Sequence, residues 1–402
     1  MDKNNTIMRY QNSGSDTALR AQPLGIYART EATALARAFQ VDQSTGEILD
    51  APADPKRFRA ERYALKSVVN RLLPTSRTSK CCRWRIPKQA VQVHRSVEHG
   101  KAFYSGLEVC ASVWACPVCA AKISERRRAE LVTSVALAKS MGLHVKLLTL
   151  TVPHGLGDDL PMLLEQIRNA WRRTTTGRAG KQFRKLLGIK GTIRSLEVTH
   201  GRNGFHPHLH VLLFLDQDAT NHCIQGLFTP IWIDACTKSG LPAPSHLHGC
   251  RVDDGSYAAK YASKWGLESE MTKSHTKQGK FGSRTPWDFL RSILGKAEGW
   301  EQDCHLFRTY AQAFKGQRQL YWSNGLRALL ALGEEATDEE VAAVQEDNAR
   351  MLAELTDDQW RAILRTKSET IVLDMAEEHP QALPVLLASI LERSTRMQSG
   401  MG

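Results

Sequence analysis

Three histidines at alternate positions, His206, His208 and His210 in the segment FHPHLHVLLFL, carry the most concentrated chemistry in the sequence. Successive side chains of a β-strand point to opposite faces, so all three project from one side. Two imidazoles spaced in this way can bind one divalent ion. A strand-like run at 192–199 precedes them and contains Glu197, with the turn Gly201-Arg202-Asn203-Gly204 between. A two-residue loop at 202–203 or 203–204 pairs odd positions with even ones, which places Glu197 opposite His208 or His210 on the same face. An odd-numbered loop points it away. One carboxylate with two imidazoles forms a mixed N/O site suited to Mn²⁺ or Mg²⁺, with positions left for substrate oxygens. Such an ion can polarise a scissile phosphate. The competing reading is an exposed histidine-rich strand that binds no metal.

A second group is Ser256-Tyr257-Ala258-Ala259-Lys260-Tyr261-Ala262-Ser263-Lys264, in which Tyr and Lys each recur at spacing four. On a helix Tyr257 and Tyr261 sit one turn apart on one face, and Lys264 follows Tyr261 by three. A phenol ordinarily has a pKa of about 10, so a nearby cation helps it act as a nucleophile. Taken alone, tyrosines at this spacing commonly pack into a core.

The third group is cysteine-rich. Cys110, Cys116 and Cys119 supply three thiols, and Cys81 or Cys82 can supply a fourth; Cys82 is the expected ligand, with His94 and His99 as alternatives. Tetrahedral zinc in a structural role is the natural product, and a redox Cys-x-x-Cys is the competitor. Trp114 before this knuckle and residues 124–128 after it, including Arg126 and Arg127, fit a rigid DNA-facing module. Cys223, Cys236, Cys250 and Cys304 are scattered.

Several elements must position these groups. Residues 1–53 show little periodicity and read as a loosely ordered arm. Residues 54–141 read as a helix with Phe58, Leu65, Val68, Val69 and Leu72 at helical spacing, the cysteine segment, and a helix over 123–141. Residues 142–330 hold strands at 144–152, 192–199 and 208–215, a basic helical stretch at 160–187 that includes Arg172 and Arg173, and a helix at 255–265. Residues 331–402 read as helical, with capping boxes at Thr337…Glu340 and Thr356…Gln359.

Charge adds a partner class. The net charge is +12, yet residues 334–380 hold fourteen Asp/Glu against four Lys/Arg. A strongly cationic body with an acidic end favours a polyanion, and the acidic end reads as a protein-contact or DNA-repelling surface, or as a merely solvated one. No apolar run reaches the roughly 18–20 residues of a membrane span. The start lacks the apolar stretch of a secretory signal, so a cytoplasmic bacterial protein is expected. The segment GRAGK at 177–181 is too short for a phosphate loop, so no ATP-driven motor is read.

In order, these motifs resemble the Rep initiators of rolling-circle plasmids, within the HUH endonuclease superfamily. LLTLTV at 147–152 is similar to that family's first, structural motif, HPHLHVL at 206–212 to its metal motif, and YAAKYASK at 257–264 to its nucleophile motif. CASVWACPVCA at 110–120 is similar to the family's cysteine knuckle, and QLYWSNGLRALL at 319–330 resembles a segment near the catalytic domain's end. The resemblance implies an α+β domain with a central antiparallel sheet carrying the histidines, flanked by helices. It implies His208 and His210 as metal ligands with Glu197, Tyr261 as the nucleophile, and Lys260 and Lys264 beside the DNA. It implies origin DNA, single-stranded or cruciform, as substrate, with a host helicase and replication machinery as partners. Single-tyrosine plasmid initiators have a glutamate where Tyr257 stands. The two-tyrosine pattern is closer to phage initiators and rolling-circle transposases. A transposase of the same chemistry and a non-catalytic zinc-dependent repressor are the alternatives.

Overall fold

A long antiparallel hairpin organises the chain. The computed structural model describes residues 55–255, 283–343 and 348–399, together with a two-residue strand pairing of Gln40–Val41 with Ile48–Leu49. Residues 1–51 and 52–402 are separate units.

In the second unit, α1 (Pro55–Leu72) leads to a small sheet strand pair, β1 (Val91–Ser96) and β2 (Ala102–Ser105), and then to α2 (Pro117–Ser140). The helix α2 starts earlier than the sequence pattern indicates, because Cys116 is its N-cap and Pro117 occupies its first turn, where the missing N–H costs nothing. The main sheet contains β3 (His144–Leu150), β4 (Ile189–Gly201), β5 (Gly204–Leu215), β6 (Cys250–Asp253) and β7 (Leu320–Trp322). Its order is β6-β3-β5-β4-β7 and every pairing is antiparallel. The basic stretch at 160–187 is two helices, α3 (Leu160–Thr176) and α4 (Arg178–Leu186), broken at the extended Gly177. Then come α5 (Asn221–Thr237), α6 (Pro286–Gly295) and α7 (Trp300–Ala313).

Alternation along the strands divides the sheet into two faces. Leu148, Leu150, Leu196, Leu209, Val211 and Leu213 pack with Leu163, Ile167, Phe183, Phe228 and Trp232 from α3, α4 and α5 in the largest core. Val145, Leu147, Ile193, Leu212 and Phe214 point the other way, into a core with Leu131, Val135 and Ala138 of α2 and with Leu326 and Leu330. That cover reaches the β3/β5 end nearest Phe214. Thr149, Glu197, His208 and His210 share the same face by parity, further along the strands.

The C-terminal part departs from the all-helical expectation. The strand β8 (Ala349–Leu355) pairs antiparallel with β1, and α8 (Asp357–Thr366), α9 (Glu369–Glu378) and α10 (Leu383–Ser399) follow it. Val93, Trp360, Ile363, Val372, Leu387 and Ile390 form its core. Both expected capping boxes form: the Thr337 and Glu340 groups bond reciprocally, as do those of Thr356 and Gln359. Acidic residues here pair with basic ones from the start of the unit, Arg59 with Asp374 and Glu377 and Arg85 with Asp357, so the acidic end is part of the folded body. No helix among the described residues is long and apolar enough to cross a membrane.

Candidate metal centre and cysteine cluster

The hairpin joining β4 and β5 pairs Gly201 with Gly204, leaving Arg202 and Asn203 as the loop. Gly204 has φ +89°, and a Cβ there would lie 3.0 Å from the Gly155 carbonyl oxygen, so the turn needs glycine. This register sets Glu197 directly opposite His208. His210 is opposite Thr149 on the other neighbouring strand.

The side chains converge. Glu197 Oε2 lies 3.5 Å from His208 Nε2 and 3.4 Å from His210 Nε2, and the rings of the two histidines stand 5.0 Å apart at 84°. The far ring nitrogens are occupied: His208 Nδ1 is 3.2 Å from the His206 carbonyl oxygen, and His210 Nδ1 is 3.0 Å from Thr149 Oγ1. A ring nitrogen facing a carbonyl oxygen must carry the proton, so His208 in its neutral form presents the Nε2 lone pair inward. Burial works to raise the Glu197 carboxyl, but the two imidazoles, His210 foremost, overcome it and hold the group well below the usual carboxylate range. Once both Nε2 atoms give up their protons, the ionised carboxylate and two inward lone pairs around one point are complementary to a cation. Separations of 3.4 and 3.5 Å fit neighbouring ligands on an ion with bonds of about 2.1–2.3 Å. Outer partners of this kind fix ring orientation in metal sites.

His206 stands outside this trio. Its ring stacks on His154 with centroids 4.4 Å apart at 16°, and burial, with His208 and His154, pushes its pKa down to about 4.

The second group is the cysteine cluster. Cys81, Cys110, Cys116 and Cys119 are buried with their sulfurs within 4.8 Å of one another. Individual Sγ···Sγ distances are 3.4 Å (Cys81–Cys119), 3.8 Å (Cys110–Cys119) and 3.8 Å (Cys116–Cys81). Zinc–sulfur bonds of about 2.3 Å give tetrahedral edges of about 3.8 Å, so the four thiols could hold a metal such as zinc. The fourth member is thus Cys81, and the expectation of Cys82 is corrected. Cys82 takes a left-handed φ of 56° and donates its N–H to the Glu108 carbonyl; its sulfur lies 3.6 Å from that of Cys81 but is not among the four that lie within 4.8 Å of one another. His94 is also elsewhere, stacked on Phe103 and bonded to Ser105.

The DNA-facing assignment of the knuckle changes as well. Trp114 is buried, packs against Phe314 with the rings tilted by 53°, and donates to the Gln317 carbonyl at 2.7 Å. Arg127 is buried too, paired with Glu130, Glu335 and Asp338, so it builds the interior and does not face DNA. Arg126 remains largely exposed, 3.4 Å from Glu130. Arg172 and Arg173 are exposed on α3. Tyr257, Lys260, Tyr261 and Lys264 lie outside the described residues.

A family model described as replication protein matches residues 104–370. The chain belongs to the replication protein family. This replication protein is 25% identical over 340 residues to "Protein rep" of Streptomyces lividans, covering 66% of the chain and 74% of that relative. It is 29% identical over 176 residues to the "Neomycin resistance protein" of Streptomyces cyanogenus, covering 35% of the chain and 40% of that relative. No solved structure matches it. The family assignment bears out the resemblance to Rep initiators read from the motifs.

Thr149 was not singled out by the sequence reading, although it lies within the LLTLTV motif. Its role depends on which strand β3 pairs with, and β3 and β5 are separated by more than fifty residues.

Proposed function

We propose that this replication protein starts rolling-circle copying by nicking one strand at an origin. The convergence of Glu197, His208 and His210, with both outer ring nitrogens engaged, carries this reading. A divalent ion held there, Mn²⁺ or Mg²⁺, would polarise the scissile phosphate. The Glu197 carboxylate and the two imidazoles orient toward a single point and leave the remaining positions to DNA oxygens. The proposed nucleophile is Tyr261, with Lys260 and Lys264 lowering the cost of its phenolate. The phenolate oxygen bonds to phosphorus as the P–O3′ bond breaks, and the departing O3′ takes a proton from solvent. The products are a 5′-phosphotyrosyl link and a free 3′-OH that primes synthesis. The link conserves the phosphodiester energy, so rejoining needs no ATP. Tyr257, one turn away by sequence, is proposed to take the strand transfer that closes the cycle. Unwinding falls to a partner helicase, and the cysteine cluster, loaded with zinc, serves folding.

Incubation with radiolabelled single-stranded origin DNA and Mn²⁺ tests the reading. An SDS-resistant protein–DNA adduct is expected. A gel shift without any adduct would mean a DNA-binding repressor instead.

A further inference from the structure

On the sheet face opposite the metal centre, two arginines flank one tyrosine and the charge of a third reaches them. Arg194 of β4 and Tyr321 of β7 are direct cross-strand partners. The flanking residues Leu320 and Trp322 point into the α2 core, so by parity Tyr321 faces the other side with Arg194. The Arg194 guanidinium carbon lies 5.6 Å from the centre of the Tyr321 ring, and that of Arg318 also lies at 5.6 Å. The ring therefore fixes two guanidinium groups in place, and cation–π contact lets them approach one another. Arg168 on α3 brings a third positive charge to bear: burial first, then Arg168 and Arg318, pulls the Arg194 pKa below its ordinary value against the opposing pull of Tyr321, and the group stays charged.

The counter-charge is incomplete. Arg194 Nε is buried from solvent and has no hydrogen-bond partner among the described residues. Arg168 has no ion pair among them, and Arg318 has one, with Glu335 at 3.2 Å. A guanidinium is a planar fork of donors that stays charged, and leaving one of its buried N–H groups unmet is costly. Gathering like charges around such a group is understandable where an anion completes it. The cluster also continues along α3, where Arg172 follows Arg168 by one turn on the same exposed face.

We propose that Arg168, Arg194 and Arg318, steadied by Tyr321, form a phosphate grip for the DNA backbone, separate from the nicking centre. This choice of DNA as the anion rests on the replication function proposed above. The grip holds a phosphodiester on the far side of the sheet from Glu197, His208 and His210. It can therefore retain the DNA while the cleaved strand is free to move at the metal face. The Trp114–Phe314 ring contact and the Trp114 bond to the Gln317 carbonyl tie the residue just before Arg318 to the cysteine knuckle. Loss of the knuckle is thus expected to loosen the grip.

The test is a salt titration of DNA binding by the full chain in EDTA, using fluorescein-labelled dT30 and a 30-base-pair duplex as separate probes. Arg168→Gln and Arg194→Gln are each expected to weaken binding by about tenfold. Each should reduce the slope of log affinity against log salt by about 0.7 on dT30, or by about 0.9 on the duplex, and the probe showing the loss identifies the strand state held. Arg361→Gln on α8 serves as the surface-charge control and should leave both quantities unchanged. Arg168 is exposed, so its variant remains informative if Arg194→Gln folds poorly. Unchanged affinity and slope for Arg168→Gln on both probes would overturn the proposal, as would an equal loss in Arg361→Gln. The titration needs no divalent ion, so a failure of the nicking reading leaves its outcome standing.

Discussion

Replacing Thr149 by valine removes one hydroxyl from beside the metal centre and little else. Valine matches threonine in shape and suits a strand as well. The lost contact is the 3.0 Å bond between Thr149 Oγ1 and His210 Nδ1. For His210 to offer its Nε2 lone pair, Nδ1 must carry the proton, and the hydroxyl is then its acceptor. In the variant that part-buried N–H faces a methyl group, an unmet donor costing about 1–3 kcal/mol. The ring can escape by rotating or by moving its proton to Nε2, and either change removes a ligand. Loss of such outer partners lowers metal affinity by about 10–100-fold. Mn²⁺ binding followed by calorimetry on chelator-stripped protein reads this directly. Thr149→Ser, which keeps the hydroxyl, should bind within a few-fold of the parent chain. If Thr149→Val binds Mn²⁺ as tightly as the parent, His210 is not held in the way described and the ligand argument fails.

Further outcomes follow from the same geometry. Cys81→Ser should lose bound zinc and lower the melting temperature, while Cys82→Ser should retain the metal; elemental analysis of both purified variants separates the two cysteines. Arg127→Ala should destabilise the chain by about 1–3 kcal/mol, because it removes the buried cation shared by Glu130, Glu335 and Asp338 while Arg327 and Arg318 stay beside the first two, and denaturant melts measure it. Tyr261→Phe should abolish the first nick, whereas Tyr257→Phe should still nick but fail to release circular product. Mass-spectrometric mapping of phosphotyrosine on suicide substrates decides between them, and labelling of Tyr257 alone would reverse the assignment.

The candidate metal centre was largely legible because it depends on parity. The odd–even relation of Glu197 and His208 follows from one two-residue loop between adjacent strands, and a short hairpin leaves few other registers. The fourth thiol was not legible, since Cys81 and Cys82 are neighbours in sequence and differ only in backbone conformation, which sets one sulfur among the four and the other at its margin, 3.6 Å from Cys81. The strand β8 was hidden for another reason. Its residues, ARMLAEL, are good helix formers, and only pairing with β1, some 250 residues earlier, makes them a strand. Arg127 misled because a basic run after a cysteine knuckle reads as a DNA surface. The acids that bury it lie about two hundred residues further on, in the segment whose charge suggested repulsion of DNA. The basic grip at Arg168, Arg194 and Arg318 likewise depends on three separate elements meeting at one sheet edge.

The central claim is that Glu197, His208 and His210 hold the ion needed to cut DNA. It is tested most directly by cleavage of end-labelled single-stranded origin DNA with chelator-stripped protein, before and after Mn²⁺ is restored. The parent chain should cut only after the ion returns, and His208→Ala and Glu197→Ala should not cut at micromolar Mn²⁺ while still shifting the DNA on a gel. Cleavage by the stripped parent chain, or undiminished cleavage by His208→Ala, would contradict the account.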